Sequence, residues 1–310
     1  MAFTAKDVKE LREVTGVGMM DCKRALTESD GDMEKAIAYL REHGLAAAQK
    51  KAGRITAEGV AYADVFDSVG VVVEVNSETD FVAKNDMFIN FVKGVASAVA
   101  VNAPADIDAL MACTFPGSDK TITEQQQEMI LVIGENISVR RFIRYPEGLS
   151  VPYVHAGGKI GVIVNLDAAG ISDVGALTEL GKDIAMQIAA MRPLYLDEAS
   201  VDAGELEKEK EIQFNKAVEE NRAKDLPEEK ARKIAESMVK GRINKFYEDM
   251  CLLNQPYVKE NKLTVGEHVK QVAKTLGGQI TVKAFTRFEK GEGIEKKQDD
   301  FAAEVASMVK

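Results

Sequence analysis

The sequence predicts an α+β protein: a small N-terminal helical unit, a duplicated α+β core built on small antiparallel sheets, an inserted antiparallel helical hairpin and a short C-terminal helix. Three observations carry this expectation. Two runs rich in β-branched residues, Gly70-Val71-Val72-Val73-Glu74-Val75 and Gly161-Val162-Ile163-Val164-Asn165-Leu166, are each followed by a loop, an amphipathic helix and a proline at similar spacing. That pattern reads as an internal repeat of strand and helix. The first 45 residues show helical apolar spacing without a strand signal. Between about 196 and 250 the chain turns highly charged, with a thin apolar stripe on either side of Asp225-Leu226-Pro227, as in a helical hairpin.

The elements follow in order. Thr4 caps a helix carrying Val8, Leu11 and Val14, which Thr15-Gly16-Val17-Gly18 breaks. A second helix carries Met19, Met20, Ala25 and Leu26. Ser29-Asp30-Gly31-Asp32 turns the chain into a third, with Met33, Ile37 and Leu40, which Gly44 is expected to end. Ala46 to Ile55 reads as a helical or flexible tether. Val60 to Phe66 is a companion strand to the first β-branched run, and Val139 to Tyr145 closes its sheet. The helix between them has Phe88, Phe91, Val92, Val95 and Val99 and stops before Pro104. In the second half, Val151 to His155 is the companion strand, and the helix with Leu177, Leu180, Ile184, Ile188 and Ala189 stops before Pro193. Leu206 to Asn221 and Glu228 to Tyr247 form the hairpin. A helix from about Val265 to Thr275 and a strand from Ile280 to Phe285 complete the second half, and a tail helix carries Phe301, Val305 and Met308. The expected domains are 1–55, a helical unit and tether; 56–148, the first core subdomain; 149–195 with 252–293, the second; 196–251, the hairpin; and 294–310, a C-terminal module.

Composition excludes several classes of function. The chain has 310 residues and a formal net charge of -10, which argues against a nucleic-acid binder, because phosphate contacts need clustered Lys and Arg. Cys22, Cys113 and Cys251 are too widely spaced for a zinc or disulfide framework, and His43, His155 and His268 lie as far apart. The N-terminus lacks the apolar region of a signal peptide, and no apolar run approaches the roughly 18 residues of a membrane span. A reduced, cytoplasmic protein without cofactor or metal is expected.

No catalytic motif emerges. Gly16 and Gly18 lack the preceding strand and third glycine of a dinucleotide fingerprint. Gly157-Gly158-Lys159 and Gly277-Gly278 read as hairpin turns, and Asp299-Asp300 and Glu228-Glu229 as solvated helix starts. Met19-Met20 admits two readings, core residues or a flexible thioether surface for a protein partner. So does Asn76-Ser77-Glu78-Thr79-Asp80-Phe81. Asp80 can cap the following helix with Phe81 folded back as a hydrophobic staple, or Phe81 is an aromatic wedge held out for another protein to bury.

Four stretches, "LREVTGVGMMDCKRAL" (11–26), "VNSETDFVAKND" (75–86), "IGENISVRR" (133–141) and "FEKGEGIEKKQDDFAAEVA" (288–306), together resemble the bacterial elongation factor Ts family, the guanine-nucleotide exchange factors of elongation factor Tu. The resemblance spans nearly the whole chain. It implies a ubiquitin-associated-like N-terminal domain, two related α+β core subdomains, a hairpin that supports homodimerisation, and a C-terminal module that touches the partner's GTPase domain. It implies that Asp80 and Phe81, with their neighbours Thr79 and Val82, intrude near the partner's magnesium site. Arg12, Met19, Met20 and Lys23 match an N-terminal contact face. Ile133 matches a contact beside the magnesium site, and His155 and Val258 match residues that hold another domain of the partner. Two departures stand out: Lys259, where the family often has an apolar residue, and a longer segment from Cys113 to Thr123. Readings from other classes are an adaptor or chaperone-type binding protein that does not affect nucleotide, and a hydrolase using Cys or His.

Overall fold

Capping residues and apolar spacing decide where the N-terminal helices begin. The computed structural model describes residues 3–222 and 227–295; the expected tail helix around Phe301, the pair Asp299-Asp300 and the turn residues Asp225-Leu226 lie outside them. α1 (Ala5–Thr15) follows Thr4, whose backbone N–H donates to the Asp7 carboxylate at 2.6 Å. α2 (Met19–Glu28) follows the Gly16–Gly18 break. α3 (Met33–Lys51) is N-capped by Asp32, whose carboxylate accepts from the Lys35 N–H at 3.1 Å. Leu11, Cys22, Leu26, Ala36 and Leu40 bury one another in a small core.

One expectation fails in this unit. Gly44 does not end α3, which continues to Lys51. It sits mid-helix, where a Cβ would lie 3.6 Å from the Gln127 carbonyl and 3.7 Å from Leu131. At those distances a Cβ would make ordinary contact, so the glycine lies against the neighbouring helix without stopping its own. Nor is the core closed by three helices alone. Leu131 and Val132, from the helix Ile122–Ile133, pack into it, which adds the apolar surface that three short helices lack.

The chain continues through β1 (Glu58–Phe66), β2 (Val69–Ser77), α4 (Asp80–Ala83), α5 (Asp86–Asn102), α6 (Ile107–Ala112), α7 (Ile122–Ile133) and β3 (Ile137–Tyr145). These strands form a sheet in the order β1-β2-β3, with β1 and β2 antiparallel and Glu58 opposite Ser77. Residues 70–77 of the central strand are all buried, which explains a β-branched run without polar alternation. Val71, Val73 and Val75 join a core with Phe88, Phe91, Val92, Val95 and Val99 of α5; Glu74 and Asn76 point to the other face. The segment from Cys113 to Thr123 also has a role. Thr114 and Thr121 form a bridge, and the turn between them presses Phe115 onto Phe91, with centroids 5.7 Å apart and planes 8° from parallel. Gly94 gives the ring room, since a Cβ there would lie 2.2 Å from it.

The second half comprises β4 (Leu149–His155), β5 (Ile160–Ala169), α8 (Val174–Met191), α9 (Ala203–Arg222), α10 (Glu228–Met250), β6 (Pro256–Tyr257), β7 (Glu260–Thr264), α11 (Val265–Thr275) and β8 (Gln279–Glu289). The sheet order is β4-β5-β8, with a small antiparallel β6-β7 pair besides. Gly157-Gly158 does form a hairpin turn, but Gly277-Gly278 joins a helix to a strand. Helices α9 and α10 meet along a narrow seam of Ala217, Val218 and Ala235 with Phe214 and Met238, while Ile212 stays exposed. By their contacts, the described residues fall into two units: 3–144 with 154–161 and 288–295, and 145–153 with 162–222 and 227–287.

The repeat is visible residue by residue at a constant offset of 89 positions. Asn76 and Asn165 are buried in the central strands, and each donates its amide to a backbone carbonyl, of Glu58 and Glu147 respectively. The hairpin turns Asp67-Ser68 and Ala156-Gly157 have φ of 47° and 69°, and 48° and 64°. Ala103 and Arg192 end α5 and α8 in the left-handed region, one residue before Pro104 and Pro193, where a helix loses its next N–H donor.

Candidate functional site

β2 leads straight into the loop that the sequence singled out, and a pair of carboxylates fixes that loop. Glu135 accepts from the Thr79 N–H at 3.0 Å and from the Thr79 hydroxyl at 2.7 Å. In return Glu78 accepts from the Asn136 N–H at 2.6 Å and from Arg54 at 3.3 Å. Each loop thus hands a carboxylate to the other's backbone, in charge-assisted bonds about twice as strong as neutral ones. The clasp holds Thr79 extended, and its hydroxyl, not the Asp80 carboxylate, N-caps α4 by accepting from the Val82 N–H. Asp80 is therefore the first helical residue and Phe81 the second, one position later than the sequence suggested.

Phe81 does not fold back: 80% of it is exposed. Val82 and Ala83 turn inward instead and join the core. Val82, counted in the sequence with the contact residues, is thus an anchor under the short helix and not part of its surface. Asp80 pairs with Lys84 at 2.7 Å. That hydrogen bond and charge, with a lesser contribution from Lys290, hold its carboxyl below the ordinary range. Ile133, at the end of α7 beside the Glu135 loop, is half-buried against the same core. An exposed aromatic on a backbone fixed at both ends is preorganised for burial by another molecule, with little ordering left to lose.

On the N-terminal helices both methionines are exposed, Met19 at 51% and Met20 at 70%, so neither is a core residue. Lys23 lies three and four residues on, hence on the same face, and it and Arg12 are exposed. His155 is exposed at the end of β4.

Val258 belongs to the second unit and is 50% exposed. Its backbone N–H donates to the buried Gln187 at 2.9 Å. Both its neighbours reach Asp183: the Tyr257 hydroxyl at 2.9 Å and the Lys259 ammonium at 2.6 Å. Burial, then the bond to Asp183, pushes the Tyr257 phenol well above its ordinary value, so it stays a donor. Lys259 is therefore tied down beside Val258.

Two of the three cysteines, Cys22 and Cys251, are buried. Burial pushes the Cys22 thiol up and the Cys251 thiol up to about 11, so neither supplies a thiolate at neutral pH. The rings of His43 and His268 stack on Tyr39 and Tyr257. Among the described residues, no group of three or more His, Cys, Asp or Glu side chains is placed to hold a metal ion, and no helix is long and apolar enough to cross a membrane.

Sequence reasoning missed Glu78, Glu135, Asn136 and Arg54, which support the loop. Glu135 and Asn136 lie within a stretch already quoted, but only a fold can pair residues 56 positions apart. Glu135→Ala is expected to open the clasp. The amide hydrogens of Thr79 and Val82 should then exchange on the order of tenfold faster, as loss of a charged hydrogen bond dictates; unchanged exchange would mean that the loop is held elsewhere.

Comparison with known proteins bears on this arrangement. The sequence model of the family described as elongation factor TS matches residues 78–292. Elongation factor Ts of Syntrophotalea carbinolica is 48% identical over 312 residues, covering 100% of both chains. That of Clostridium perfringens is 50% identical over 310 residues, covering 99% of each. That of Magnetococcus marinus is 47% identical over 311 residues, covering 100% of this chain and 99% of the relative.

Proposed function

From the premise that the chain belongs to the elongation factor Ts family, we propose that it is a translation factor that binds elongation factor Tu carrying GDP and promotes exchange of GDP for GTP. It makes and breaks no covalent bond, so it is not an enzyme in the chemical sense. The observation that carries the reading is Phe81, 80% exposed on a loop clasped by Glu78 and Glu135.

The mechanism is linkage. The factor binds the nucleotide-free conformation of its partner better than the GDP-bound one. By reciprocity it lowers the partner's GDP affinity by the factor by which GDP lowers its own. Burial of Phe81, with Asp80 beside it, near the partner's magnesium site supplies that difference, because displacing the metal shell removes charge that the diphosphate needs. Arg12, Met19, Met20 and Lys23 form a second contact on a ubiquitin-associated-like unit. Ile133 adds to the wedge side, and His155 and Val258 grip another domain of the partner. The α9–α10 hairpin supports a homodimer, residues 294–310 form a further contact module, and the site of action is the cytoplasm.

The test is the release rate of fluorescent GDP from elongation factor Tu in excess GTP and magnesium. A large acceleration that rises with the concentration of this protein is expected. A stable complex without acceleration would favour an adaptor instead.

A further inference from the structure

A buried charge lies on the strand that carries the wedge, and the mechanism above does not use it. Glu74, on β2, is fully buried. Its carboxylate accepts four hydrogen bonds: from Asn76 at 3.1 Å, Arg140 at 2.9 Å, Arg141 at 2.6 Å and the backbone N–H of Gly291 at 2.8 Å. The two arginines reach onward to the chain just past β8. Arg140 donates to the Glu292 carbonyl at 2.6 Å, and Arg141 donates to the Glu292 carboxylate at 3.2 Å and lies 4.2 Å over the Phe288 ring. Two carboxylates and two guanidinium groups thus close a neutral cluster around residues 288–292.

The repeat shows that a central strand of this kind can be built without the charge. The position equivalent to Glu74 in the second copy is Ile163, fully buried at the same place in the central strand. An apolar side chain in a strand core is as stabilising as a buried ion pair, or more so. The carboxylate stands only in the copy whose strand runs on into a wedge. From Glu74 the connection to that wedge is short. Asn76 binds both Glu74 and the Glu58 carbonyl. Glu58 pairs with Ser77 across the sheet, and Lys290 of the held segment binds the Glu58 carboxylate. Ser77 donates to the Thr79 carbonyl at 2.9 Å, immediately before Asp80.

We propose that Glu74 is a positioning residue for the exchange reaction: by holding segment 288–292 against the end of β2 it sets the direction in which Asp80 and Phe81 leave the sheet. This rests on the proposed exchange function. A glutamine at the site keeps the shape but turns an amide donor toward guanidinium donors, so one side of the cluster opens. A misplacement on the order of 1 Å at a reacting group can cost roughly a hundredfold in rate.

The test is Glu74→Gln in the fluorescent-GDP assay, with elongation factor Tu as the probe and thermal melting as the check on folding. The maximal release rate at saturating factor should fall about tenfold or more, while the half-saturating concentration stays within about threefold. In a Phe81→Ala background the same substitution should have no further effect on the rate, because coupled residues are non-additive. An equal loss in both backgrounds, a loss confined to the half-saturating concentration, or no loss would each overturn the proposal. If Glu74→Gln does not fold, Arg140→Lys, which keeps the charge but loses the forked donation, is read in its place. If wild-type protein does not accelerate release at all, the exchange reading itself falls. If it does and the variants match it, only the role of Glu74 falls.

Discussion

Phe81→Ala will leave the melting temperature within about 2 °C of wild type and cut the acceleration of GDP release by at least about tenfold. The first half follows from exposure. The ring is 80% exposed, and surface substitutions away from packed or hydrogen-bonded features usually change stability by no more than about 0.5 kcal/mol. The clasp beneath it is made by Thr79, Glu78, Glu135 and Asn136, none of which bonds the Phe81 side chain. The second half follows from transfer. Burying a phenylalanine fully contributes roughly 1.5–3 kcal/mol, and each 1.4 kcal/mol is about a factor of ten. Because that burial is proposed only in the complex that expels nucleotide, its loss falls on exchange. An exchange rate within twofold of wild type would remove the wedge from the mechanism.

Phe91→Ala should do the reverse, unfolding the protein more easily without touching the exposed site. Phe91 is 1% exposed in the core of α5 and stacks on Phe115. Phe-to-Ala changes in such cores cost about 3–5 kcal/mol, and the lost ring pair accounts for about 0.5–1.5 kcal/mol of that class of effect. A thermal melt should move down on the order of 10 °C. A shift below about 2 °C would mean that Phe115 swings in to fill the space, and that the turn around it is a mobile plug and not a fixed part of the core.

Much of the fold was legible because it rests on local signals. The β-branched runs, the apolar spacing of α5 and α8 and the prolines after them needed only the period of each element and the missing donor of proline. Thr4 and Asp32 were readable as caps for the same reason. What escaped was decided by distant neighbours. Gly44 carries the same letter whether it ends a helix or lies within one, and here α3 runs on through it, packed against α7. Asp80 and Thr79 are both good caps, and Glu135 settled the choice from the far side of a loop. Met19-Met20 left open one exposed residue or none, and the structure exposes both. Glu74 was read only as one residue of a β-branched strand, and its four donors come from residues 2 to 217 positions away.

The two copies of the repeat also end differently. Counting 89 residues on from Asp80 and Phe81 leads to Ala169 and Gly170, where β5 ends and no short helix follows before α8. The second copy has the sheet, the buried asparagine and the long helix, but nothing to insert. Two similar halves have therefore diverged at one point: among the described residues, only the first central strand is followed by a short helix that carries an exposed phenylalanine.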